Sequence, residues 1–228
     1  MPSLDRDGEV FVLNLGDGEN RFNADSVAAL GALLDEVEKA AGPKALVTHA
    51  SGRTWSLGLD LDWIRDHAAD LFPFLSSVQG LLGRVLVLPV PTVAALQGHT
   101  FAAGAMLALA HDFRVMRADR GFFCLPEVDI NIPFSAGMSA LIQAKLTRRA
   151  AHETMTTGRR YGGDDAVAEG IVHNAVPEVE VLSAAVERAR GLASKDSVTL
   201  GTIKRTMYAR AYKSLLDLNP EGLGVLLS

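Results

Sequence analysis

The stretch from Thr92 to Pro133 leaves few folds open to this chain. Thr92 to Leu96 is β-branched and apolar and ends at Gln97-Gly98, the pattern of a buried strand closed by a turn. Ala102-Ala103-Gly104 follows, and Ala105 to Ala110 then alternates small and large apolar residues without a polar face, which predicts a helix buried on all sides. The small residues let a ligand come close to the backbone. The first turn of such a helix has free N–H groups at the positive end of its macrodipole, so a developing negative charge is stabilised there. Further on, Glu127 stands in Leu125-Pro126-Glu127-Val128, where proline disfavours helix for Leu125 and lacks a backbone donor. Strand, small-residue turn, buried helix and a loop acid together mark this stretch as the candidate active site.

A chain of 228 residues, 48% hydrophobic, has enough apolar material for a sizeable core, as one domain or as one domain with an appendage. Its single Cys124 excludes an intramolecular disulfide framework. The first residues lack the basic-then-apolar order of a signal peptide, so a cytoplasmic location is expected. The apolar run from Val85 to Leu96 is broken by Pro89 and Pro91 and is too short to span a bilayer. A net charge of −5 argues against a general nucleic-acid surface, so cations that meet an anionic small molecule must be local.

Taken in order, Glu9 to Leu15 alternates into a strand, Asp25 to Ala40 carries apolar residues at helical spacing behind a cap at Asn23 or Asp25, and Ala45 to Thr48 reads as a second buried strand. This order is that of an α/β fold. Trp55 to Leu61 holds Gly58 among apolar neighbours and is suited to presenting backbone N–H groups to a ligand. Asp62 to Leu88 is mostly helical, and shorter helices are expected over 135–146, 148–156 and 164–169. An extended segment, 171–176, closes an α/β core over residues 1–176. The remainder, 177–228, reads as a helical region: Leu182, Ala185, Val186, Ala189 and Leu192 form one stripe, and a further helix runs from Val198 towards Leu216. An apolar stripe with little β partner calls for a lid role or a neighbouring subunit to cover it.

With these residues laid out, the chain resembles the crotonase (enoyl-CoA hydratase/isomerase) superfamily over nearly its whole length. Trp55-Ser-Leu-Gly-Leu-Asp-Leu is similar to the family's F-x-A-G-x-D-L segment, and Gly98-His-Thr-Phe-Ala-Ala-Gly to its N-G-x-x-x-G-G-G segment. Thr157-Gly-Arg-Arg-Tyr with Ala168-Glu-Gly-Ile-Val is similar to T-G-x-x-x and A-x-x-x-G-L-V. The resemblance implies a ββα spiral core with a C-terminal helical trimerisation region, a homotrimer or pair of trimers, and an acyl-CoA thioester as substrate. It implies no prosthetic group or metal. It also implies that the backbone amides of Leu59 and Ala103 hold the thioester oxygen, the second from a position where the family has glycine. Phe22, Asn23 and Ala24 would border the pantetheine, the backbone from Ser56 through Leu57 to Gly58 would meet the adenine, and Lys204, with Arg205 next, would meet the CoA phosphates.

Hydratases of this family pair two glutamates around a water, and here one of the two positions is Met106 while the other is Glu127. A thioether neither takes nor gives a proton, which counts against hydration by that route. One base suffices to move a double bond in a 3-enoyl-CoA. Asp119-Arg-Gly-Phe-Phe-Cys-Leu-Pro-Glu-Val-Asp-Ile and Asn20-Arg-Phe-Asn also resemble plant-type peroxisomal Δ3-Δ2 enoyl-CoA isomerases. The dienoyl branch would want an aspartate near Ser135. Isomerisation with Glu127 as proton shuttle is therefore the expectation. Hydration, another crotonase reaction, and silent CoA binding stand as alternatives. An apolar pocket among Phe122, Phe123 and Leu125 would raise the Glu127 pKa, and Phe72, Phe74, Leu75 and Val78 would line the acyl tunnel.

Other residues have plainer readings. Asp129 suits a local backbone bond, Met106 and Cys124 suit core packing, and Ala102-Ala103-Gly104 also suits close helix packing. The six histidines show no H-x-x-x-H spacing, and there is no G-x-S-x-G elbow for a serine hydrolase.

Overall fold

The computed structural model describes residues 1–217. The chain opens with β1 (Ser3–Asp7) and β2 (Val10–Asn14), then α1 (Ala24–Lys39), β3 (Ala45–His49) and β4 (Thr54–Ser56). Next come α2 (Leu61–Asp66), α3 (Leu71–Leu86), β5 (Thr92–Leu96), β6 (His99–Phe101) and α4 (Ala103–Ala110). β7 (Phe113–Arg117), β8 (Phe123–Cys124), α5 (Ala136–Lys145), α6 (Arg148–Thr157), α7 (Gly163–Ala168) and β9 (Asn174–Val176) follow. The described tail is α8 (Val181–Arg190), α9 (Ser197–Met207) and α10 (Ala209–Leu216).

The strands form two sheets, ordered β1-β2-β3-β5-β7-β9 and β4-β6-β8. Only the β1–β2 pairing is antiparallel; the others are parallel. Each successive turn of chain gives one strand to the large sheet and the next to the small one, as β3/β4, β5/β6 and β7/β8 do. This is the ββα spiral that the family resemblance implies.

Side-chain alternation along the strands explains how the large sheet is buried on both faces. Val10, Ala45, Val47, Val93, Ala95 and Val115 point to one face, where Val181, Ala185, Val186 and Ala189 of α8 cover them. Phe11, Leu13, Leu46, Ala94 and Leu96 point to the other, into the main core with α1, α3 and α4. Of the expected stripe, Ala185, Val186 and Ala189 are covered by the chain's own sheet and need no neighbouring subunit, with Val181 in the buried place expected of Leu182, which is exposed, and Leu192 past the end of the helix. The division at 176/177 falls ahead of a helix that belongs to the core layer, and the helical extension proper begins with α9. The end of the region drawn as 177–228 lies outside the described residues.

The extension folds back on the core. A Cβ at Gly137 of α5 would lie 2.6 Å from the Ser214 carbonyl oxygen and 2.8 Å from the Leu215 Cα, and one at Gly83 of α3 would sit 3.4 Å from the Tyr212 ring. The bare backbone of Gly137 thus lets α10 lie directly on α5, while its contact with α3 at Gly83 is an ordinary one. Among the described residues no helix is long and apolar enough to cross a membrane.

Candidate active site

A cavity of about 250 Å³ opens between the small sheet, α3, α4 and the loop after β8. Leu57, Leu59, Ala103, Met106 and Glu127 all line it, so the structure brings the proposed base and both proposed oxyanion residues to one space. Glu127 is the one carboxylate on its described walls, and Arg21 is the one cation.

The backbone geometry follows from two unusual positions. Gly58 has φ +86° and packs so closely that a Cβ there would be 2.8 Å from the Ala103 nitrogen. This conformation is one that only glycine adopts without strain. Phe22 holds the next residue from behind: its N–H donates to the Gly58 carbonyl at 2.7 Å and its carbonyl accepts from Asp60 N–H at 2.9 Å. That parallel bridge leaves the Leu59 N–H without a described acceptor. On the other side, Ala102 has φ 51° and ψ −129°, turning the chain from β6 into α4 so that Ala103 opens the helix with its N–H unused by the described backbone. An Ala103 amide at the N-terminus of α4 and a loop amide at Leu59 on the same cavity suit an oxyanion. Gly104 serves close packing: a Cβ there would lie 2.6 Å from the Ser56 carbonyl oxygen.

Glu127 sits in a turn after β8, only 5% exposed. Burial pushes its carboxyl up to about 7, and its Oε2 has no hydrogen-bond partner among the described residues. The direction is that expected from the sequence, although the wall differs. Phe122 is exposed at 39% and packs tilted beside His99, whereas Leu57, Leu59, Met106 and Pro126 face the cavity with Glu127. Asp129 is exposed, with its carboxylate against Gly158, away from the cavity. Of the four residues expected to line an acyl tunnel only Leu75 does so; Phe74 and Val78 are core and Phe72 is exposed.

Several side chains near the expected CoA path have structural partners of their own, while Leu57 of the 56–58 backbone lines the cavity. Phe22 is 2% exposed, so its side chain is core and only its backbone supports the site. Asn23 caps α1, accepting from Ser26 N–H at 2.9 Å, and Ala24 is exposed beside it. Ser56 is fully buried and donates to the Asn20 carbonyl at 2.8 Å, so its hydroxyl is a scaffold bond.

Lys204 is a clear correction. It is 3% exposed, and its ammonium donates to the carbonyls of Leu88 at 3.0 Å and Val90 at 2.8 Å while pairing with Asp112 at 2.5 Å. Every donor of the ammonium is used in fastening α9 to the segment between α3 and β5, leaving nothing for a phosphate. A sequence signal existed: Gly201, one turn earlier on the same face, packs against Pro89. Likewise His111 is structural, its ring nitrogens meeting the Leu107 carbonyl and the Thr48 hydroxyl, each at 2.8 Å.

Gln79 of α3 was not singled out by sequence reasoning. It is 1% exposed and lines the cavity, its Oε1 accepting from Ser135 Oγ at 3.0 Å. A single polar residue in an otherwise apolar helical stripe was the available signal.

The enoyl-CoA hydratase/isomerase profile matches residues 6–218. Enoyl-CoA delta isomerase 2, peroxisomal, of Arabidopsis thaliana is 36% identical over 221 residues, covering 91% of this chain and 92% of the relative. Enoyl-CoA delta isomerase 3 of the same plant is 35% identical and covers 98% of each. The apo structure of an enoyl-CoA isomerase of Mycobacterium tuberculosis aligns with a TM-score of 0.87 at 26% identity, covering 99% of this chain and 96% of that one. The chain belongs to the enoyl-CoA hydratase/isomerase family.

Proposed function

We propose that the chain is a Δ3-Δ2 enoyl-CoA isomerase in which Glu127 is the only general base. The observation that carries this reading is the cavity wall itself: one buried carboxylate, and Met106 where a second acid would be needed to activate water. The delta isomerase names of the Arabidopsis relatives point the same way.

In the proposed reaction the Glu127 carboxylate removes a proton from the α-carbon of a 3-enoyl thioester. The electron pair delocalises onto the thioester oxygen, where the Leu59 and Ala103 amides stabilise it, each donor being worth roughly 3 kcal/mol of barrier. The protonated carboxyl then returns the proton at the γ-carbon, giving the conjugated 2-enoyl ester. A carboxyl near neutrality suits both halves, because it is basic enough to take the proton and acidic enough to give it back. The thioester supplies the acidity of the α-carbon, so the route as written needs neither metal nor prosthetic group.

With Lys204 committed to Asp112, Arg21 at the cavity and exposed Arg205 on α9 are the cations assigned to the CoA phosphates. Assembly as a homotrimer or pair of trimers belongs to the same reading, supported by the exposed Val198, Ile203 and Met207 on α9. So does a reducing compartment, either the cytoplasm or the peroxisome named for one relative, which suits the free, buried Cys124.

The test is a panel of 3-enoyl and 2-enoyl CoA esters, followed separately for conjugation and for hydration. Conjugation of the 3-enoyl esters without hydration of the 2-enoyl esters is expected. Hydration without a double-bond shift would reject the reading, and tight binding with neither reaction would make the protein a silent acyl-CoA binder.

A further inference from the structure

We propose that the arginines at the start of the small sheet, Arg53 and Arg120 with Arg160 beside them, form a binding site for the phosphoryl group of a small anion, separate from the candidate active site. Such a site goes beyond the acyl-CoA reading and does not depend on it.

Each pass of the spiral crosses from the large sheet to the small one through a turn, and the three turns stack. A Cβ at Gly98, between β5 and β6, would collide with the Arg53 carbonyl oxygen just before β4, and one at Gly121, ahead of β8, would lie 3.0 Å from the Gly98 carbonyl carbon. Bare backbone thus brings Arg53, His99, Arg117 and Arg120 around one recess of about 20 Å³, which Gly98 and Gly121 also line. Arg160 adds a further guanidinium. It lies over the Phe101 ring at 5.6 Å, and the same ring meets His99 edge-on at 5.4 Å. Burial holds the His99 imidazole below its ordinary range, and the charges of Arg160, Arg120 and Arg53 lower it further, which puts all three arginines within electrostatic reach of one ring.

Guanidiniums gathered in this way repel one another unless something negative joins them. Arg117 is answered by Asp119 and Glu178. Among the described residues Arg53, Arg120 and Arg160 meet no carboxylate at ion-pair distance, although the chain has 27 acids against 22 lysines and arginines. All three are exposed, so a ligand reaches them from solvent. A phosphoryl group suits the set, because it carries close to two negative charges at pH 7 and its oxygens accept from guanidinium forks in pairs. The recess has room for one of those oxygens, being the size of a single water. The catalytic cavity lies at the other end of the same strands: Leu57, Ala103 and Glu127 follow β4, β6 and β8, whereas Arg53 and Gly121 precede β4 and β8 and His99 opens β6. Three residues of strand set the two ends about 10 Å apart.

The experiment titrates the full chain with inorganic phosphate and with AMP by calorimetry, on the wild type, on Arg53→Gln and Arg120→Gln, and on Lys195→Gln as a control at an exposed cation elsewhere. Saturable binding is expected, weakened about tenfold by each arginine variant and untouched by Lys195→Gln. AMP no tighter than phosphate would mark free phosphate as the ligand, and AMP about tenfold tighter would mark a nucleotide whose base stacks on the exposed Phe122 ring; either supports the site. No saturable binding of either anion would overturn the proposal, as would equal binding by the wild type and both arginine variants. Because both positions are exposed, Tm checks that each variant folds, and if one does not the other decides. The titration is repeated with the protein saturated by a non-reacting acyl-CoA ester. Unchanged anion binding is expected, whereas displacement by the ester would assign these arginines to the CoA path and overturn a separate site.

Discussion

Ala102 turns the chain from β6 into α4 with φ 51° and ψ −129°, a conformation that a side chain disfavours by about 1–3 kcal/mol. That turn is what leaves the Ala103 N–H at the cavity, so the strain is stored where the proposed oxyanion would sit. Ala102→Gly should therefore raise the unfolding free energy by about 1 kcal/mol, after the entropy that glycine adds to the unfolded chain is subtracted. Denaturant titration measures this, and an unchanged or lower midpoint would mean the backbone is not strained. At this scale much of the site was legible. Glu127 after Pro126 and the small residues before α4 carry their chemistry in their identity and spacing. Gln79 was legible only as a polar residue in an apolar stripe, because its partner Ser135 lies more than fifty residues away. The positive φ of Ala102 was hidden too, since an alanine gives no local sign of a turn that tertiary structure imposes.

Among the elements, α9 departs most from its sequence-based reading. A lysine in an amphipathic tail helix looks like a surface cation, yet Lys204 points inward to Asp112, which also accepts from Thr92 N–H at 2.8 Å at the start of β5. Breaking a buried pair from one side leaves the other charge uncompensated, at a cost of roughly 3–5 kcal/mol. Lys204→Ala is accordingly expected to lower Tm strongly. A phosphate-binding lysine would instead show a raised KM for the CoA ester with Tm preserved, and that result would restore the sequence-based assignment. The stripe on α8 was read correctly at Ala185, Val186 and Ala189 but not at Leu182, whose place Val181 takes, and its partner was not legible: periodicity shows that a face must be covered, not that the strands covering it lie far earlier in the chain. β3 and β5 were legible because they are short apolar runs set off by turn residues, whereas β7 carries Arg114 and Arg117, β1 is exposed and polar, and the ββα spiral came from the family resemblance.

For the molecule as a whole, buried titratable groups set the response to pH. Burial holds His111 down to about 4, below the 6.5 of a free imidazole. The folded state binds fewer protons than the unfolded chain across that window, so this stability is present above about 6.5 and is lost as pH falls towards 4. Chemical denaturation from pH 7 to 4 should show the decline, with a shallower slope in His111→Gln; equal slopes would mean that His111 is not held neutral. Glu127 acts with the opposite sign. Its carboxyl is raised from 4.5 to about 7, so the folded state binds the extra proton, and a destabilisation grows as pH rises through that range. The carboxylate that the site needs is one the fold would be more stable without. Glu127→Gln keeps the shape and removes the ionisation, and its isomerisation of a 3-enoyl-CoA is the most direct measurement of the central claim. The predicted result is a fall in kcat of about 10²- to 10⁴-fold in a protein on the order of 1–3 kcal/mol more stable than wild type at pH 8. A variant that retained most of the turnover would contradict the account.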